Sequence, residues 1–361
     1  MKREPCTQKI RVLIVEDSAS VRMFLHDIIE RDPRLEVAAA VETAEEALRI
    51  VDQVAPHVIS LDIRLPGMNG LEATRRIMSL RPTPIVIVAA SVQSDDLNIV
   101  MKALEAGALT VLEKPVGRTN QDYQDIANRL CTQLTIMSQV KVVRQHLMRN
   151  TLARPTHSPA VCSFAMLGVA SSTGGPAALL QLLGSLGSSF PLPILLVQHI
   201  TASFLEGFAA WLQTAAGFPV VIVRHTATPL PGVVYMAPAD RHLITDGSQL
   251  KAEPGDPVSG QCPSGTMLFR SMARSLGSTG LGVVLTGMGD DGAAGLRELR
   301  DAGGYTIAEN ASTAVVYGMP AAAVKLGAVC ESLPLPAIGV RLRELIALNQ
   351  NAIYLLSAQA L

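Results

Sequence analysis

The sequence has no long hydrophobic run. Its apolar stretches are strand-length and broken by Gly, Pro or polar residues, which argues against a membrane-spanning helix. It shows no secretory leader either, because the opening MKREPCTQKI carries positive charge with no apolar segment behind it. The five cysteines (Cys6, Cys131, Cys162, Cys262 and Cys330) are scattered without paired spacing. That argues against a disulfide scaffold or a zinc site and fits a reducing cytoplasm. An excess of one charge is missing as well. The 30 Lys and Arg meet 31 Asp and Glu, for a formal net charge of −1, so no basic field for nucleic acid or an anionic membrane is expected.

What is present is apolar material in quantity. The 361 residues are 48% hydrophobic and 17% charged, enough for sizeable cores and too weakly charged for a disordered chain. The length fits two domains or one large one. Strand-like runs at Ile10 to Val15, His57 to Leu61, Ile85 to Ala89 and Thr110 to Leu112 alternate with helical patterns. Repeated strand–helix units imply a parallel sheet covered by helices. Next, Ile126, Leu130, Leu134, Met137, Val140, Val143 and Leu147 recur every three or four residues, an amphipathic helix free to dock on either domain. Thr151 to Pro159 reads as a linker. Strand candidates resume at Phe164 to Val169, Leu192 to Gln198, Val220 to Arg224, Val233 to Ala237 and Gly282 to Thr286. The expected fold is α/β: two doubly wound parallel-sheet domains, the second larger, joined by a helical linker. The expected bounds are 9–130, 131–160 and 161–350.

Glu16 and Asp17 follow the first strand, Asp62 comes at the end of the run that begins at His57, and Lys114 follows the last. Strand carboxyl ends converge on one edge of such a sheet, so three acids and a lysine would share a pocket. Clustered carboxylates suit Mg²⁺, and an aspartate beside metal and lysine can accept a phosphoryl group. Each acid taken alone reads equally as a solvated loop residue. This block resembles a CheY-type response-regulator receiver. The resemblance implies a flavodoxin-like fold, phosphorylation of Asp62, Mg²⁺ held by Glu16, Asp17 and Asp62, and a phosphate contact from Lys114. The family usually carries Ser or Thr after the fourth strand. Here that position is Ala89, with Ser91 two residues on, which leaves the switching step open.

In the second block, Gly168-Val169-Ala170-Ser171-Ser172-Thr173-Gly174-Gly175-Pro176 reads as a tight strand-to-helix turn. Such a turn exposes a nucleophile, and it can equally cradle a phosphate. His199 ends a strand, and Asp290-Asp291 follow another, where an Asp can also cap the next helix. Ser, His and Asp at three strand ends fit nucleophile, base and orienting acid. The order Ser, His, Asp and the residue Ala170 depart from the α/β-hydrolase pattern.

The order and motifs resemble the CheB protein-glutamate methylesterases over nearly the whole chain. The matching pieces include Gln198-His199, Ala237-Pro238-Ala239-Asp240-Arg241-His242, Cys262-Pro263-Ser264 and Ala311 to Pro320. The resemblance implies a Rossmann-like methylesterase domain with Ser172 as nucleophile, His199 as base and Asp291 as orienting acid. Thr173, Gly174 and Met288 would flank the oxyanion, and the esterase chemistry would need no cofactor. It further implies glutaminyl deamidation, chemoreceptors as substrates, a CheA-type histidine kinase as phosphodonor, a cytoplasmic location and no membrane insertion. Gly265-Thr266 departs from the Val-Asp expected there. Three rivals stay open: a binding module that no longer catalyses, a DNA-binding regulator, and a hydrolase of some other ester or amide. The second block is too long and too weakly basic for the DNA-binding reading.

Overall fold

In the computed structural model the described residues are 9–89, 94–114, 120–140 and 164–358. They belong to two compact units that divide between Leu147 and Met148. Among the described residues no helix is long and apolar enough to cross a membrane.

The first unit has strands β1 (Ile10–Val15), β2 (Leu35–Val41), β3 (Val58–Asp62), β4 (Ile85–Ala89) and β5 (Thr110–Glu113). Between and after them run helices α1 (Ala19–Arg31), α2 (Ala44–Val54), α3 (Gly70–Leu80), α4 (Ser94–Glu105) and α5 (Asn120–Met137). All strand pairs are parallel, in the order β2-β1-β3-β4-β5. The order reverses at β1 and β3, and doubly wound sheets open a crevice at such a switch point. Val12, Ile14, Val58, Val86 and Val88 are buried in the core. Their continuous apolar runs suit strands covered on both faces. Two caps fix helices beside the crevice: Thr43 accepts from the Glu46 N–H and Asn69 from the Glu72 N–H. Gly70 lets α3 start against β3, because a Cβ there would stand 2.5 Å from the Asp62 carbonyl oxygen.

The amphipathic helix, which the sequence left free to dock on either domain, packs on this unit. Leu130, Cys131, Leu134 and Met137 share its core with Leu25, Ile28 and Ile29. Val143, Leu147, the linker Thr151 to Pro159, and Ser91 lie outside the described residues.

The second unit opens with β6 (Met166–Ser171), α6 (Gly175–Leu186), β7 (Ile194–Gln198), α7 (Ala202–Ala216), β8 (Val220–Ile222), β9 (Thr226–Ala227) and β10 (Val234–Met236). It continues with β11 (Arg241–Thr245), β12 (Leu250–Pro254), α8 (Gly265–Ser275), β13 (Gly280–Val284) and α9 (Ala293–Asp301). It ends with β14 (Tyr305–Glu309), α10 (Met319–Lys325), β15 (Glu331–Leu333) and α11 (Leu335–Ala358). Seven strands form a parallel sheet in the order β15-β14-β13-β6-β7-β10-β8. The central strands β13, β6 and β7 are therefore neighbours. Ala170 lies opposite both Val284 and Val197, so the three strands reach their carboxyl ends nearly level.

The sequence reading had no place for β9, β11 and β12, which form a small antiparallel sheet. Leu243 and Leu250 on it are buried and join the main core.

Candidate active site and phosphoacceptor pocket

In the first unit, β1 delivers Glu16, β3 delivers Asp62 and β5 delivers Lys114 to the switch point. The Lys114 N–H donates to the Ala89 carbonyl at 2.7 Å, which pins it beside the end of β4. Its Nζ stands 2.7 Å from Asp62 Oδ2 and 2.9 and 2.8 Å from the two Glu16 carboxylate oxygens. Ligand oxygens of Glu16, Asp17 and Asp62 all lie within 4.8 Å of one another. Glu16 and Asp62 are buried and Asp17 is exposed. Burial pushes the Glu16 and Asp62 carboxyls above their usual range against the opposing pull of Lys114. Three clustered carboxylates are the donor set of a hard divalent cation. Ala89 ends β4 without a side-chain hydroxyl.

In the second unit, β6 runs into Ser172. Gly174, at φ +76°, turns the chain into α6, with Pro176 in its first turn. A Cβ at Gly174 would press on the Val315 side chain at 2.7 Å, so glycine meets both the backbone and the space requirement. The Ser172 N–H donates to the Thr286 carbonyl at 3.0 Å. On the other side, the Gln198 amide donates to the Ser172 and His199 carbonyls at 3.0 and 2.9 Å, tying two strand ends together. Gln198 also accepts from the Ser171 hydroxyl at 2.7 Å.

His199 Nε2 lies 2.9 Å from Asp291 Oδ2. His199 Nδ1 is buried and has no hydrogen-bond partner among the described residues. Asp290, the neighbouring acid, is exposed, whereas Asp291 is buried. Asp291 collects donors on both oxygens. Oδ1 accepts from the Ser264 hydroxyl at 2.6 Å and the Thr266 N–H at 3.0 Å, and Oδ2 accepts from the Gly265 N–H at 2.7 Å. Those N–H groups belong to the first turn of α8, which Ser264 caps. A carboxylate is favoured at such a helix end by free N–H groups and by the helix dipole. Burial alone would raise the Asp291 carboxyl, but the His199 contact, the Ser264 hydroxyl and the Thr266 N–H outweigh it, holding the group below the usual carboxylate range.

The Gly265-Thr266 departure now has a physical account. A Cβ at position 265 would stand 2.7 Å from the Ala170 methyl, so only glycine brings this helix end to Asp291 without a shift. The Thr266 hydroxyl accepts from the Gly292 N–H at 2.8 Å, fixing the loop that carries Asp291 without a second negative charge.

Of the flanking residues expected at the oxyanion, Thr173 and Gly174 are buried at the α6 entrance and Met288 is exposed on the opposite loop. Gly287 brings that loop to the serine, since a Cβ there would stand 2.8 Å from Ser172 Cβ. Ser264 was quoted in the sequence only as part of a motif, and its role was missed. The signal for it was Ser directly before a helix, a cap position.

A pocket of carboxylates and lysine on a five-stranded sheet, together with a larger α/β unit bearing Ser, His and Asp at neighbouring strand ends, defines a class: a response regulator with an esterase-type output domain. The chain matches the response regulator receiver domain over residues 12–122 and the CheB methylesterase family over residues 167–342. It is 58% identical to a protein-glutamate methylesterase/protein-glutamine glutaminase of Paramagnetospirillum magneticum, covering 94% of this chain and 98% of that one. A Myxococcus xanthus protein of the same name is 42% identical over 95% of this chain and 97% of its own. The catalytic domain of Thermotoga maritima CheB methylesterase is 32% identical, with a TM-score of 0.48, covering 52% of this chain and 100% of that chain. The chain belongs to the CheB family of protein-glutamate methylesterases.

Proposed function

We propose that this chain demethylates glutamate methyl esters and deamidates glutamines on chemoreceptors, with Ser172 as nucleophile, His199 as base and Asp291 as orienting acid. The observation that carries this reading is the His199–Asp291 contact at 2.9 Å, which leaves a buried His199 Nδ1 without a partner among the described residues, next to the strand that leads into Ser172. An ionised Asp291 only accepts, so Nε2 carries the imidazole proton and Nδ1 presents a lone pair.

The Ser172 hydroxyl attacks the side-chain carbonyl of the substrate and gives its proton to Nδ1. Asp291 holds the ring and stabilises the imidazolium. Backbone N–H groups of Thr173, Gly174 and Met288 are the candidate donors for the oxyanion. The proton then passes from Nδ1 to departing methanol, or to ammonia from an amide. Water, deprotonated by the same nitrogen, hydrolyses the acyl-enzyme and releases glutamate.

In the receiver, Asp62 is the proposed phosphoacceptor for a CheA-type histidine kinase. Glu16, Asp17 and Asp62 are the residues that would hold Mg²⁺, which when bound supplies charge neutralisation at the phosphoryl oxygens. Lys114 orients the acceptor carboxylate and contacts the phosphate.

The test is methanol release from methylated receptor membranes by purified Ser172→Ala. The expected loss is on the order of 10³-fold or more. A variant that kept the wild-type rate would overturn the assignment.

A further inference from the structure

Of two sequence motifs, the stretch ending in His242 has no part in the chemistry above, and Cys262-Pro263-Ser264 enters it only through the bond from Ser264 to Asp291. They meet behind Asp291. We propose that His242 is a positioning residue for catalysis, acting through Ser264 to fix the direction in which Asp291 faces His199. This inference rests on the triad reading.

His242 lies at the start of β11 in the small antiparallel sheet and is buried, 3% exposed. Its Nε2 is 3.0 Å from the Asp256 carbonyl oxygen. Its Nδ1 is 3.2 Å from the Ser264 backbone nitrogen. A backbone nitrogen only donates and a carbonyl only accepts, so the two contacts select one tautomer. Nδ1 is bare and accepts from Ser264, and Nε2–H donates to Asp256.

The neighbouring bonds are directed as well. The Ser264 hydroxyl oxygen accepts from the Thr266 and Met267 N–H groups at 3.1 and 3.4 Å as the cap of α8. Its own proton therefore points to Asp291 Oδ1, 2.6 Å away. The chain of donors and acceptors runs from the Asp256 carbonyl through His242, Ser264 and Asp291 to His199. Every polar atom along it has a defined role, and Ser264 and Asp291 are buried with His242.

The consequence is geometric. Asp291 Oδ2 meets His199 only if the carboxylate does not rotate about its Cβ–Cγ bond. The grip on Oδ1 from Ser264 opposes that rotation, and His242 holds the Ser264 backbone from which the grip is made. Loss of the Nδ1 acceptor would leave the buried Ser264 N–H an uncompensated donor. Relaxation to relieve it would move the hydroxyl. Misplacement of a catalytic group by an ångström can cost on the order of 100-fold in rate.

The test uses two substitutions of similar polarity in the full-length chain. In His242→Asn the side-chain oxygen falls near the place of Nδ1, keeping the Ser264 acceptor and losing the contact to Asp256. In His242→Gln the polar end falls near Nε2, keeping the Asp256 contact and losing the Ser264 acceptor. Turnover is followed on methylated receptor membranes, with denaturant midpoints measured alongside. The expected result is that kcat falls on the order of 10- to 100-fold in the Gln variant with KM steady, while the Asn variant stays close to wild type. Ser264→Ala should match the Gln variant, and the two combined should be no worse than either, as members of one network.

Equal losses in Asn and Gln, losses that follow the denaturant midpoints, or an effect confined to KM would overturn the proposal. If the Gln variant does not fold, the other pair decides. An active Asn variant beside a slow Ser264→Ala supports the relay, and two slow variants overturn it. Ser172→Ala is run in parallel. If it retains activity, the triad reading fails. If it is inactive while the His242 variants are indifferent, only this inference fails.

Discussion

The Ala170 methyl and the missing side chain of Gly265 share one space: a Cβ built at 265 would lie 2.7 Å from the Ala170 Cβ and 3.5 Å from Asp291 Oδ2. The pair links the strand that presents Ser172 to the helix end that holds Asp291. Volume at one position therefore has to be given up at the other.

Gly265→Val should overpack this contact and destabilise the second unit by about 1–3 kcal/mol. It should also push the Gly265 N–H away from Asp291, lowering kcat. Ala170→Gly with Gly265→Val, which removes the methyl that a Cβ at 265 would meet first, should recover part of the lost stability and activity. Chemical denaturation and esterase turnover on the two variants check this. A double variant no better than Gly265→Val alone would show that the contact is not what makes 265 a glycine.

Much of the site was legible because strand ends carry it. Glu16, Asp17, Asp62, Lys114, Ser172 and His199 each stand at or just after the carboxyl end of a short, largely apolar run, and the parallel sheet does the rest. The supports behind Asp291 were not legible. Ser264 and His242 come from a cap and from a small antiparallel sheet whose strands are only two to five residues long. Such strands show too little periodicity to be read, and which side chains meet behind a carboxylate depends on tertiary packing. The amphipathic helix after β5 was legible as a helix, but its docking was decided by contacts with Leu25 and Ile28 that no local pattern announces.

Asp291→Asn should cost more than its charge. Oδ1 accepts from Ser264 and Thr266, and Oδ2 from Gly265 and His199, so neither orientation of an amide avoids setting its NH₂ against donors. A fall in kcat of about 10⁴-fold and a destabilisation of about 1–3 kcal/mol are expected. The pH dependence has a definite sign. The folded Asp291 carboxyl sits below its unfolded value, so its contribution is complete above the ordinary carboxylate range and is lost as pH falls through the folded value. Denaturation midpoints at a series of acidic pH values should converge for wild type and Asn variant. A gap that stayed constant would contradict the assignment.

Glu309 predicts the opposite trend. It ends β14, fully buried, and its Oε2 accepts from the Thr286 N–H at 2.8 Å while Oε1 has no partner among the described residues. Burial raises its carboxyl, with smaller opposing pulls from the Thr286 N–H and the Thr313 side chain. Between the ordinary glutamate value and the raised one, the folded chain therefore holds a proton that the unfolded chain gives up. The stability this proton contributes is complete below the ordinary glutamate range and is lost as pH rises through the raised value. Glu309→Gln mimics the neutral acid and should flatten that loss with rising pH while leaving kcat close to wild type. Identical pH–stability curves for the two proteins would show that Glu309 is ionised in the folded state.

Ala89 bears on how Asp62 is coupled to the esterase. It closes β4 one residue beyond Val88, the partner of Asp62 in the sheet, and its carbonyl anchors Lys114, yet it offers no hydroxyl to a phosphoryl group. Lys114 therefore stands as the side-chain donor already in contact with the Asp62 carboxylate, at 2.7 Å. If the response to phosphorylation runs through Lys114, a small phosphodonor with Mg²⁺ should still raise esterase turnover in wild type. Asp62→Asn should abolish the increase while leaving basal turnover intact, and Lys114→Ala should remove the increase without removing phosphate incorporation. Ala89→Ser, which restores a hydroxyl at the strand end, should enlarge the response. A wild-type rate indifferent to the phosphodonor, with Ala89→Ser responsive, would show instead that the missing hydroxyl has disconnected the receiver from the enzyme.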